Sequence, residues 1–337
     1  MKKIGFLSFG HYRDVAGARV ATAGQALHAH VELAKVADDL GIDGAWVRVH
    51  HFEESMTSPF PLLAAMATAT SRIEVGTGVV DLRYENPLHM AEEAAATDLL
   101  SNGRLQLGVS RGSPELAVDG QAQFGHHLAD GESWAENSRR KIERFLSAIE
   151  GTPIAHSARA QELGQGPDLR IRPLSPGLRD RIWWGAATHA TGLTVAAQGM
   201  NLLSSTVMLA DDGRPFHVQQ ADQVRDYREA YRAAGHTGPG MTAVTRPVFP
   251  FTSDADRRYF GTRVTESDSV AHHDGSVARS GPTIAGSIEQ VVAALQADEA
   301  VTEADLVLFT MPSHLGVEYN THWLGNLVIL AEELGWR

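Results

Sequence analysis

Two adjacent imidazoles, His50 and His51, follow the apolar run Ala45-Trp46-Val47-Arg48-Val49 and precede Phe52-Glu53-Glu54. An imidazole takes and releases protons near neutral pH, and it also ligates divalent metals. Successive side chains on a strand point to opposite faces, so at most one of the pair faces a given cavity. Glu53 and Glu54 complete no recognised zinc spacing, which leaves proton chemistry ahead of metal binding. A buried pair satisfied by backbone carbonyls is the bland alternative. Further on, Gly76-Thr77-Gly78-Val79 places glycines within a strand pattern, where they let another group approach the backbone or mark a bulge. Gly108-Val109-Ser110-Arg111-Gly112 ends the next apolar run with an arginine, suited to a bidentate phosphate contact or equally to an ion pair. Gly185-Ala186-Ala187-Thr188-His189-Ala190-Thr191 leads from a strand into a helix. Amide N–H groups in such a first turn can hold an anion, although simple capping by Thr188 or Thr191 also explains the residues. The segment lacks G-x-G-x-x-G, which disfavours a Rossmann dinucleotide site.

These groups gain force from the elements that present them. The pattern predicts strands over 4–9, 45–49, 72–80, 104–110, 181–186, 201–204, 241–250 and 304–309. Helices are expected over 25–40, 59–69, 87–100, 134–149, 190–198, 215–234, 254–273, 288–296 and 320–334, with Ser58 and Asn86 as caps and Gly41 as a left-handed stop. Strand, crossover helix, parallel strand is the economical wiring for this spacing. Eight such units make one α/β chain, a (β/α)8 TIM barrel spanning residues 1–337 with loop insertions at about 112–133 and 151–180. In that fold the chemistry sits at the C-terminal ends of the strands, where His50, Gly78, Ser110, Arg111 and Thr188 all fall.

Composition narrows the partners. The chain has 337 residues, 43% of them hydrophobic and 21% charged, as in a globular protein with a full core. A formal charge of −12 argues against nucleic acid or an anionic membrane as a partner. No run approaches the ~18 apolar residues of a membrane helix. The absence of cysteine excludes disulfides, thiolate metal sites and a cysteine nucleophile, and it fits a cytoplasmic location.

Taken together and in this order, the motifs resemble the bacterial luciferase-like, flavin-dependent monooxygenase family. The residues that carry the resemblance include Leu40-Gly-Ile-Asp-Gly-Ala-Trp46, His50-His51-Phe52, Arg72-Ile-Glu-Val-Gly-Thr-Gly78, Asn86-Pro87, Ala91-Glu92 and Asp98-Leu-Leu-Ser-Asn-Gly-Arg104. Gly108-Val-Ser-Arg-Gly112, Asn137-Ser-Arg139 and Ala196-Ala-Gln-Gly199 extend it. The likeness is near continuous over 1–112 and patchy beyond. It implies that His50 is the catalytic histidine beside the flavin. It implies a non-prolyl cis peptide at Gly78–Val79 under the flavin ring, and Ser110 close to that ring. Arg111 and Arg139 would grip the FMN phosphate, completed by Thr188, His189, Ala190 and Thr191 at the helix start.

The same resemblance implies the activity. Reduced FMN from a separate flavin reductase would react with dioxygen to give a flavin peroxide, which oxidises a small-molecule organic substrate; no metal is required. A homodimer through helices 62–69 and 91–100 is the family expectation. Three departures argue against light emission from long aldehydes. Ser110 stands where luciferase has a reactive cysteine, Thr188 replaces an acidic residue, and Val49 replaces a glutamate. Two alternatives stay open: a deazaflavin-dependent oxidoreductase of the sister branches, against which His50-His51 weighs, and a flavin-binding relative without turnover. Leu7, Phe9, Tyr12, Phe52 and Phe60 are candidate linings of an apolar substrate pocket, with core packing their commoner role.

Overall fold

A computed structural model describes residues 2–337 except 113–116, 165, 210, 239, 263, 266, 274 and 275. Eight parallel strands close on themselves: β1 (Lys3–Ser8), β2 (Gly44–Val47), β3 (Glu74–Thr77), β4 (Leu105–Ser110), β5 (Ile182–Ala186), β6 (Asn201–Ser204), β7 (Thr242–Arg246) and β8 (Leu306–Met311). Each pairs with the next, and β8 returns to β1 in the register Lys3↔Leu306 to Ser8↔Met311. The β3–β4 seam is short, Val75↔Leu105 and Gly76↔Gln106, and a two-residue extension, Val80–Asp81, continues the pairing along β4. The expected (β/α)8 barrel is therefore the architecture found.

The crossover helices that form the outer layer are α1 (Ala23–Asp39), α2 (Pro59–Ala69), α3 (Pro87–Leu100), α4 (Trp134–Ile149), α5 (His189–Ala197), α6 (Phe216–Ala233), α7 (Ile288–Ala297) and α8 (Gly316–Glu333). Their starts follow capping chemistry. Thr22 with Gln25 and Ser133 with Glu136 form capping boxes at α1 and α4. Asn86 Oδ1 accepts from the N–H groups of Leu88 and His89 ahead of Pro87 at α3. Ser58 precedes α2, but its side chain makes no capping bond. Between the layers, Ala34, Leu63, Met66, Val75, Ala94 and Leu107 are completely buried. The barrel interior is filled by a separate cluster: Leu7, Trp46, Trp183, Leu203, Ala243, Leu306 and Leu308. Trp46 and Trp183 meet edge to face at 5.4 Å, and Trp183 Nε1 donates to Gln106 Oε1 at 2.7 Å. The barrel is thus plugged below its mouth.

Several expectations need correction. The helix over 254–273 is a short helix, Asp254–Phe260, followed by an antiparallel hairpin of Ser269–His273 with Ser276–Ser280, whose second strand also pairs with Met208–Leu209. The two Ser-Val-Ala repeats flanking Asp274-Gly275 are a hairpin signal that outweighs helical periodicity. The strand over 241–250 breaks at Pro247, which has no N–H to give, and Val248–Pro250 leaves the barrel to pair with Ile284–Gly286. The insertion at 151–180 contains a two-residue hairpin, Ala155–His156 with Asp168–Leu169. The insertion at 112–133 contains a helical turn, Gly120–Gln123, and its residues 113–116 lie outside the described residues.

Candidate active site

The C-terminal rim gathers the expected groups from four neighbouring strands. At the end of β2 the two histidines part company. His51 is buried, stacked on Tyr84 at 4.1 Å and set edge-on to Phe124 at 5.1 Å. His50 is 9% exposed, and its Nδ1 lies 3.3 Å from Glu53 Oε1. Burial holds the His50 imidazole below its ordinary pKa, helped by the nearby Arg48 charge and opposed by Glu53. His50 is consequently a largely neutral base at pH 7 with a carboxylate fixing one of its nitrogens. The spacing of Glu53 suggested at most a poor metal ligand; its role as the partner of His50 comes from the chain doubling back after Phe52, which adopts φ 59°.

β3 ends in Gly78–Val79, whose peptide bond is cis. A side chain added at Gly78 would sit 3.1 Å from Leu7 Cδ1, so this bond lies directly above the interior plug. Val79 leans towards β4 and β5. A Cβ at Gly108 or at Gly185 would come 3.2 Å from Val79 Cγ1, and one at Gly185 would come 3.5 Å from Ser110 Cβ. Val79, Ser110 and Gly185 therefore share one small-residue patch of the rim. Ser110 Oγ accepts from the Gly112 N–H at 3.0 Å, tightening the turn that presents Arg111.

Arg111 is exposed and makes no hydrogen bond or ion pair among the described residues. Its neighbour Arg83 is committed to Asp81. On the adjacent strand, Thr188 caps α5 by accepting from the Thr191 N–H at 3.2 Å. The N–H groups of His189 and Ala190 find no acceptor among the described residues. His189 Nδ1 meets Asp226 Oδ2 at 3.1 Å, so its ring is turned to α6 and only its amide is offered to the rim. Gln223 of α6 donates to the carbonyl of Thr188 at 2.8 Å and holds this turn in place. Because β4 and β5 are paired in parallel through Val109↔Trp184, the turn that carries Arg111 and the turn that carries these amides leave neighbouring strand ends. A phosphate fits there: a cation, two donors and the positive end of a helix dipole, with no paired carboxylate to displace among the described residues. Arg139 lies on α4. It is exposed on α4, with no bond to the β4 or β5 ends, while Lys141 on the same helix turns inward to donate to the Leu82 and Arg83 carbonyls at 2.8 and 3.0 Å.

Of the proposed pocket linings, Leu7 belongs to the interior plug, Phe60 is buried, and Phe52 is 51% exposed beside Tyr84 and Phe124. Tyr12 packs against the core, and Phe9 lines a cavity at the mouth, with His11, Phe249, Thr310 and Met311. Sequence periodicity could not find Phe249, because it lies beyond the break at Pro247.

Comparison with known proteins places the chain in a family. Residues 6–260 match the family model for luciferase-like monooxygenases. The oxygenase component of a flavin-dependent trigonelline monooxygenase from Acinetobacter baylyi is 36% identical over 185 residues, covering 54% of this chain and 49% of that protein. The match thus spans about half the length of that relative. A monooxygenase from Streptomyces bottropensis shares the fold across 98% of this chain and 99% of its own, with a TM-score of 0.73 and 18% identity. The oxygenating constituent of 3,6-diketocamphane monooxygenase from Pseudomonas putida, solved with FMN, covers 99% of this chain and 98% of its own, with a TM-score of 0.68 and 17% identity. The chain belongs to the luciferase-like monooxygenase family.

Proposed function

We propose that the protein is a flavin-dependent monooxygenase that uses reduced FMN and dioxygen to oxidise a small organic substrate. The observation that carries the reading is the pairing of an uncommitted Arg111 with the open amides of His189 and Ala190 on adjacent strand ends, with the His50–Glu53 pair elsewhere on the same rim. Arg111, Thr188, His189, Ala190 and Thr191 would hold the phosphate. Arg139, on α4, would join them. Gly78, Val79 and Ser110, with the open backbone of Gly185, would border the ring system.

Reduced flavin, when bound, would supply the two electrons for activating dioxygen, one oxygen atom passing to the substrate and the other leaving as water. The chain's own part is to bind, orient and manage protons. His50, neutral and fixed by Glu53 at Nδ1, would accept or deliver a proton at Nε2. The plug of Trp46, Trp183 and Leu203 closes the floor to water. Reduced flavin would come from a separate reductase, as the name of the Acinetobacter baylyi relative suggests for that protein. A cytoplasmic homodimer through α2 and α3 completes the reading; Leu99 and Leu100, 45% and 54% exposed on α3, are apolar side chains that such a contact would cover.

Equilibrium titration with FMN tests the site. Arg111→Ala should weaken binding by about 1–3 kcal/mol, the scale of a charge-assisted contact. Unchanged affinity would overturn the phosphate assignment, and preferential binding of the deazaflavin cofactor over FMN would overturn the choice of flavin.

A further inference from the structure

Across the barrel from Arg111 and Thr188, a cavity of about 270 Å³ opens between the ends of β1 and β8 and the segment after β7. Phe249 and Phe260 form one wall, stacked in parallel with centroids 3.9 Å apart and an interplanar angle of 2°. Phe9, Met311 and Pro312 extend the apolar surface. Polar groups are confined to the hydroxyls of Thr283, Thr310 and Ser313 and the imidazoles of His11 and His314. The three hydroxyls make no side-chain hydrogen bond among the described residues. No lysine, arginine, aspartate or glutamate lines the space.

We propose that this cavity seats the organic substrate, and that the substrate is an uncharged single-ring molecule bearing one hydroxyl or carbonyl group. The role as a substrate seat rests on the flavin reading above; the ligand class rests on the cavity alone. Size sets the first limit. The volume corresponds to roughly nine waters of liquid and falls just below the ~300–1,000 Å³ of common ligand pockets, which admits one substituted ring and not a long chain. Charge sets the second. An ion entering this cavity would lose hydration and meet no charged side chain in its lining, while Glu53 and Arg48, which both act on His11, oppose each other, a cost that a neutral molecule escapes. Burial holds the His11 imidazole below its ordinary pKa, so at neutral pH it offers a hydrogen bond and no countercharge. The flat Phe249–Phe260 wall favours a ring, and the unpaired hydroxyls give one polar substituent a place to bind.

Position ties the cavity to the chemistry. Glu53, which holds His50 Nδ1, also acts electrostatically on His11 at the cavity edge. A ring seated on Phe249 with its polar group towards His11 therefore lies on the side of the mouth nearest the His50–Glu53 pair.

The test uses the full chain without flavin, titrated by calorimetry at pH 7.5 (roughly neutral) with cyclohexanone and with cyclohexanecarboxylate, which share a ring and differ in charge. Cyclohexanone should bind and the carboxylate should not. Thr310→Val should weaken cyclohexanone about fivefold, the loss of one neutral hydrogen bond. Thr283→Leu, filling the space from its rim, should abolish binding. Equal or tighter binding of the carboxylate, binding of neither ring, or binding untouched in both variants would each overturn the proposal. FMN affinity measured on the same preparations separates the two readings. If FMN binds and neither ring does, the cavity assignment fails alone; if cyclohexanone binds and FMN does not, the flavin reading fails and the ligand class stands.

Discussion

His50 and His51 show how far identical side chains diverge once the backbone turns between them. His51 is locked into a ring cluster with Tyr84 and Phe124, and its buried Nε2 has no hydrogen-bond partner among the described residues. His50 instead gains Glu53 at 3.3 Å. Burial lowers its pKa, so protonation in the folded state is delayed to lower pH than in an unfolded chain. The sign follows: the native state favours the neutral ring, and that preference is lost as pH falls from the unfolded value through the folded one. Glu53 opposes the shift at both His50 and His11. Glu53→Gln should therefore move both imidazole titrations to lower pH, read by NMR. An upward move, or a shift at neither ring, would remove Glu53 from this role. His50→Ala should slow single-turnover oxidation while leaving thermal unfolding close to that of the parent chain; a normal product yield would dismiss His50 from the proton chemistry.

Elements explain why the family-like motifs lie where they do, since many of them are scaffolding at the closed end. Asp38, near the end of α1, accepts from the N–H groups of Ser71, Arg72 and Ile73 and from the Ser71 hydroxyl. Burial alone would raise its pKa, but these donors outweigh it and hold the carboxyl below its ordinary value. The stabilisation is full above the unfolded pKa and is lost as pH falls through the folded one. Asp38→Ala, which orphans the three N–H groups, should cost about 2–3 kcal/mol at pH 7 and less in acid, by urea denaturation. An equal cost at both pH values would contradict the assignment. Asp98 and Arg104 serve the same end of the barrel. Asp98 accepts from Ser175 and Arg181 at 2.6 and 2.7 Å, and Arg104 donates to the carbonyls of Ala67 and Ile73. Glu85, ahead of α3, is the counter-example: burial, reinforced by Glu93, pushes its carboxyl up to about 7. Its folded pKa is raised, so the stability contribution present in acid is lost as pH rises through about 7. Glu85→Gln should thus stabilise by about 1–2 kcal/mol at pH 8 and by little at pH 4; the reverse ordering would refute the burial argument.

At the scale of the whole molecule, closure depends on places where backbones come too close for side chains, two of them between β3 and β4. A Cβ at Gly76 would lie 2.7 Å from the Gln106 carbonyl oxygen and 2.8 Å from Trp46, at the β3–β4 seam. One at Gly108 would lie 2.1 Å from the Thr77 carbonyl oxygen. Gly76→Ala should destabilise by about 1–3 kcal/mol through overpacking, seen as a lower denaturation midpoint. An unchanged midpoint would show that the seam can spread. No helix among the described residues is long and apolar enough to cross a membrane, in line with the evenly broken hydropathy of the chain.

The sequence by itself determined the barrel, because strand and helix periods and their caps are local properties that alternate eight times. It also placed His50, Gly78, Ser110, Arg111 and the 188–191 turn at strand ends, since β4 and β5 run as their patterns predict. It did not determine which of these act together. That Arg111 has no partner among the described residues while Arg83 is paired, and that Glu53 turns back to His50, are facts of tertiary geometry. Periodicity cannot tell a committed charge from an uncommitted one. Nor could it see Phe249 beside Phe260, or the hairpin after Phe260, because a proline break and a long-range strand pairing decide both. Local patterns fix elements; only the distances between residues remote in sequence fix a site.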